Sequence, residues 1–141
     1  MFKSFEDRIN VLGVCVDEPL IADGYNPIAF YPAYDGRSAI EAMRQSRFDL
    51  LLVSSRLPDM AALALVQQAR MMRVRPNWAM VGGPLNDQQR SMARAHGAAT
   101  FFDTPPGTRE LANLVASLRE QAIQTILEGQ FVQTRGLAIA A

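Results

Sequence analysis

A chain of 141 residues, 49% hydrophobic and 20% charged, holds enough apolar material for one packed domain and too much to remain disordered. Its 14 basic and 14 acidic residues cancel, which removes the electrostatic footprint expected of a nucleic-acid or anionic-membrane binder. The single cysteine, Cys15, excludes an internal disulfide and a cysteine-built metal centre, and the run VLGVCV around it predicts a small buried core residue.

The first residues, MFKSFEDRIN, carry charge where a secretory signal needs an apolar segment, and no stretch is long and apolar enough for a membrane span. The expected location is therefore the cytoplasm. Strands are expected at 10–16 (NVLGVCV), 28–31 (IAFY), 49–54 (DLLLVS), 78–82 (WAMVG) and 99–102 (ATFF). Their apolar character is continuous rather than alternating, as in a parallel sheet covered on both faces.

Helices fall between the strands. Residues 37–46 place Ile40 and Met43 on one face, and 61–73 carry apolar residues at 63, 66, 69 and 72. Residues 86–96 open on the capping types Asn86 and Asp87 and stop at Gly97. The last helix is expected to be extended, starting near Thr108 and ending near Gly129, with Leu111, Leu114, Val115, Leu118, Ala122 and Ile126 as its core stripe. Alternating strands and helices predict a doubly wound α/β sheet. One link is too short for that plan: DEPLIADGYNP, residues 17–27, contains Gly24 and Pro27 and has room for a turn or two of helix at most. With the first helix shortened or absent, strand surface is left for the last helix, the tail, a second copy or a partner to cover. The expected organisation is an N-terminal extension at 1–8, a domain at 9–128 and a tail at 129–141.

Five segments occur in a telling order: VDEP after the first strand, YDGRSAIEAM, FDLLLVSSRLPDM, AHGAATFFDTPP, and the amphipathic last helix. Together they resemble the response-regulator receiver domain, the CheY-like phosphoacceptor module of two-component signalling. The resemblance implies a flavodoxin-like, five-stranded parallel sheet. It also implies a working site of an acid pair holding Mg²⁺, an acceptor aspartate, a hydroxyl residue and a lysine. Carried onto this chain, the acid pair falls on Val16 and Asp17, with Glu18 beside them. The acceptor position is Ser54, the hydroxyl position Gly82 and the lysine position Thr104, followed by the expected Pro105.

The only lysine is Lys3, outside the domain, so no other lysine can replace the lost one. Removing the acceptor carboxylate and one acid leaves too few oxygen ligands for Mg²⁺. A serine without an adjacent base is also a poor nucleophile. The implied molecule is a degenerate receiver without enzyme activity, cofactor or metal. Phe101 falls where receivers often carry a switching aromatic, and Arg90 and Arg94 are expected to flank it on the usual partner face. The implied partners are a histidine kinase, a phosphotransferase or another regulator, or a second copy of the chain as a homodimer, with no nucleic acid and no membrane. A small-ligand sensor is the alternative, with Gly82 and Gly83 admitting a ligand close to the backbone. His96, at a helix end, reads as structural, and alternation turns Asp103 away from the acceptor pocket. The terminal GLAIAA reads as a docked terminus or as a degradation tag.

Overall fold

A computed structural model describes residues 8–21, 24, 26–72, 76–83 and 85–140, with 129–140 as backbone only. The expected N-terminal extension lies outside these residues except for Arg8. Five parallel strands form one sheet in the order β2-β1-β3-β4-β5. They are β1 (Ile9–Val14), β2 (Ile28–Ala33), β3 (Leu50–Ser54), β4 (Asn77–Val81) and β5 (Ala98–Phe102). Four helices accompany them: α1 (Gly36–Gln45), α2 (Ala62–Arg70), α3 (Asp87–Ala95) and α4 (Thr108–Ala140). This is the expected flavodoxin-like architecture. Among the described residues of the β1–β2 link none is helical, so the first helix of the plan is missing.

The three inner strands bury both faces. Leu12 and Val14 of β1 and Leu51 and Val53 of β3 pack with Ile40 of α1, Leu65 and Val66 of α2 and Ala93 of α3. The intervening residues Ile9, Val11, Leu50 and Leu52 face the other way, toward Leu111 and Val115 of α4. Three helices therefore cover one face and a single helix covers the other. On that second face the ring of Phe30 lies across Gly13, where a Cβ would overlap it. Phe30 thus closes part of the surface a further helix would hide.

Several sequence expectations are corrected. Strand β1 ends at Val14 rather than at 16, and Cys15 is exposed rather than buried. The cause is local: Cys15 has φ +58°, a left-handed conformation that turns the chain out of the sheet while its N–H still donates to Ala33 O at 2.8 Å. Helix α2 buries Ala62, Leu65, Val66 and Ala69. Leu63 and Met72 are only partly covered. Strand β2 runs through Pro32 to Ala33, which an edge strand tolerates. The last helix does not stop near Gly129 but continues to Ala140. Ala122 is exposed and Ile126 is 61% exposed, so neither belongs to the core stripe. Among the described residues no helix is long and apolar enough to cross a membrane.

Candidate functional site

The C-terminal ends of the strands carry the residues that the sequence singled out. Val14 pairs with Val53 across β1 and β3, so Cys15 follows at the level of Ser54. The Ser54 Oγ accepts the Arg56 N–H at 3.3 Å, a hydrogen bond within its own turn. Beyond it, Ser55 N–H donates to Val81 O at 2.9 Å, and Gly82 N–H donates to Phe102 O at 2.9 Å. Gly82 sits at φ +123°, and a Cβ there would stand 2.6 Å from the Ser55 Oγ. A residue with a side chain at this position would need a different backbone and a displaced Ser55. Thr104 is exposed. Asp103 lies against the neighbouring Gly83, where its Oδ1 would be 2.9 Å from a Cβ.

The acids lie elsewhere. Val16 is buried beneath the sheet's α4 face, while Asp17 and Glu18 are exposed. All three line a cleft of about 230 Å³ with Phe30, Pro32 and Tyr34. Val16, Asp17 and Glu18 thus share a cleft on the β2 flank whose lining does not include Ser54, Gly82 or Thr104. Among the described residues no group of three His, Cys, Asp or Glu side chains converges as metal ligands would. Mg²⁺, which the receiver resemblance implies, does not fit this donor set: Ser54 supplies a hydroxyl in place of a carboxylate, and the remaining acids face the cleft.

Sequence reasoning missed a second feature of this rim. Asp59, from the LPD turn after β3, accepts the N–H groups of Gly36 and Arg37 at 2.8 and 3.1 Å. Asp35 caps the same helix by accepting Ser38 N–H at 2.7 Å. Hydrogen bonds from the Ser38 side chain and backbone hold the Asp35 carboxyl below the ordinary carboxylate range. The Cys15 thiol, donating to Tyr34 O at 3.3 Å, is pushed up by partial burial and then by the charges of Asp35 and Asp59. Both effects favour the thiol over the thiolate, the nucleophilic form. The proximity of Cys15 and Asp59 depends on how two loops meet, which no local pattern announces.

A second cluster forms at the β5 edge. The guanidinium carbons of Arg90 and Arg94 stand 6.0 and 5.4 Å from the ring centroid of half-buried Phe101. Cation–π contacts of this kind contribute about 0.5–1 kcal/mol each. Arg90 Nε is buried without a hydrogen-bond partner, and among the described residues no carboxylate pairs with either arginine. The three residues expected to form a partner surface are thus in contact. At the end of α3, His96 Nδ1 meets Met92 O at 2.8 Å and Nε2 meets the Gln67 amide at 3.2 Å. Its own carbonyl accepts the Trp78 indole N–H at 3.0 Å, which ties α3 to β4.

The chain has the fold of the CheY-like response-regulator receiver domain. A Francisella response regulator receiver domain superposes with TM-score 0.64 at 15% identity, covering 82% of this chain and 99% of that one. A CheY-like receiver domain from Methanospirillum hungatei gives TM-score 0.60 at 19% identity, covering 86% and 98%. The receiver domain of the Pseudomonas aeruginosa sensor histidine kinase PA1611, solved with a magnesium ion in its active-site cleft, gives 0.59 at 17%, covering 77% and 94%. At these identities the likeness is one of fold. No protein-family model and no curated protein matches the sequence.

Proposed function

We propose that this chain is a phosphorylation-independent pseudo-receiver, a protein-interaction module of bacterial two-component or related signalling that works without catalysis. The observation that carries this reading is Ser54. At the end of β3, where the fold places a phosphoacceptor carboxylate, a hydroxyl is bonded within its own turn to Arg56 N–H. No charge-changing event at this position is available to drive a switch, so regulation comes from partners that bind one population better than another. The surface assigned to them is Arg90, Arg94 and Phe101. The partners are a histidine kinase, a phosphotransferase or another regulator in the cytoplasm, and a second copy of the chain forming a homodimer.

Intact-mass measurement after incubation with acetyl phosphate and Mg²⁺, alongside affinity capture from a host lysate, tests the reading. The expected result is no phosphoryl gain. A signalling protein is captured equally with and without acetyl phosphate, and is lost when Arg90 and Arg94 are changed to alanine. A stable phosphoryl adduct, or capture that requires acetyl phosphate, overturns it. The cleft of Val16, Asp17, Glu18, Phe30, Pro32 and Tyr34 supports a second reading, a small-ligand sensor. A rise in melting temperature with a nucleotide or metabolite, without partner enrichment, would select that reading.

A further inference from the structure

Among the described residues the β1–β2 link forms no helix, while α4 runs on beyond the sheet. On the second face α4 is the only described helical cover, with Phe30 laid over Gly13 beside it. Helix α4 itself starts at the C-terminal end of the sheet, where Thr108 N–H donates to Leu20 O at 3.0 Å. It reaches the N-terminal end at Arg119, whose guanidinium meets Asp49 Oδ1 at 3.0 Å. Asp49 also accepts the Asn10 N–H at 2.8 Å, which fixes that level at the start of β1. The remaining residues 120–140 continue as helix past the sheet, for about 31 Å at 1.5 Å per residue.

The described side chains of that extension, 120–128, are all exposed. Ile123, Ile126 and Leu127 lie on one side of it and are 59%, 61% and 59% exposed. Helical segments in water draw most of their stability from packing an apolar face, so this stripe calls for a second surface. We propose that the chain dimerises by reciprocal exchange: the α4 extension of each copy runs up the other copy's sheet, antiparallel to its α4, and fills the place of the missing helix.

Length and charge both support a second copy as the occupant. With Ile123 set at the level of Ile9, position 135 falls twelve residues, about 18 Å, farther along the helix. The strand from Ile9 to Val14 climbs about 17 Å over five steps. Position 135 therefore arrives at the level of Asp17 and Glu18, the acidic rim of the cleft beside Phe30. Arg135 is the only cationic residue in 120–141. A two-fold axis repeats each contact, as a closed dimer requires. The sheet order puts β2, beside the vacated place, at the opposite edge from β5. The exchange thus leaves Arg90, Arg94 and Phe101 open and is tested separately from partner capture.

The experiment is light scattering across a concentration series on the full chain and on full-length variants at exposed positions. The unaltered chain is expected to be a dimer, and Ile126→Glu with Leu127→Glu a monomer. Asp17→Arg with Glu18→Arg, and Arg135→Asp alone, are each expected to weaken the dimer roughly tenfold, while combining them restores it. A monomer at the highest soluble concentration overturns the proposal. So does a dimer indifferent to Asp17, Glu18 and Arg135, which would be a pairing of the extensions alone. Circular dichroism showing unchanged helix content in the variants separates lost association from lost folding.

Discussion

On one face of the sheet, Leu51 and Val53 of β3 lie under α1, α2 and α3; on the other, Leu50 and Leu52 of the same strand lie under α4 alone. All four are at most 1% exposed, so burial by itself does not separate the faces. What separates them is how many elements share the load. Three helices, two of them with side-chain N-caps at Asp35 and Asn86, hold the first face in place. The second depends on one helix, one aromatic ring and a link whose Leu20 side chain is 82% exposed. A sheet of this fold can therefore keep its core without a helix in the β1–β2 link, with a strand residue folded over to shield the backbone.

The largest expected effect comes from Leu51→Ala and Leu52→Ala, adjacent positions on opposite faces. Each should destabilise by about 2–5 kcal/mol in urea titrations, with Leu51→Ala the larger because three packed helices resist collapse into the cavity. Equal losses would mean that the single-helix face is as rigid as the other. Gly13→Ala comes next. Its methyl must displace the Phe30 ring, for an expected loss of about 1–3 kcal/mol, together with new binding of a hydrophobic dye at the uncovered surface. If stability and dye binding do not change, Phe30 does not seal that face.

The smallest effect is confined to the three-helix face and to acid. Asp35 has a folded-state pKa below its unfolded value, so its contribution is present above the unfolded pKa and is lost as pH falls through the folded one. An NMR titration should find the Asp35 midpoint below 3.8, the unshifted value. The amide of Ser38 should report the same transition as the α1 cap is released. A midpoint at or above that value would show that Asp35 does not hold the cap.

Much of this contrast was legible in the sequence. Continuous apolar strands implied a sheet buried on both faces, and an eleven-residue link with Gly24 and Pro27 left room for a turn or two of helix at most. The receiver resemblance placed Ser54 and Gly82, and it set Arg90 and Arg94, one helical turn apart, beside Phe101. The failures share a cause. Periodicity assigned Ala122 and Ile126 to the face of Leu111 and Leu118, but it carries no information on where the sheet beneath that face ends. Gly129 read as a stop, yet a glycine inside a helix costs only about 1 kcal/mol. Cys15 looked like core because its neighbours are core, until a left-handed φ turned it out. Tyr34 and Asp59 acquired their roles where loops from different strands meet, which is tertiary information.

Pro32 has a further consequence. The carbonyls of Pro27 and Ala33 bond to β1, so the odd-numbered residues of β2 face inward along the ladder and Ile28, Phe30 and Pro32 face the open edge. Pro32 has no N–H, and the Ile28 N–H is taken by the Asn26 side chain at 3.3 Å. Of the strand's outward positions, only Phe30 retains a donor to offer an incoming strand. An added strand would find one of three outward donors, with only the carbonyls of Ile28 and Pro32 left to accept beside it, which weakens amyloid-like stacking on this edge. Growth of the sheet by another chain is disfavoured on this side, and association there draws more on side chains.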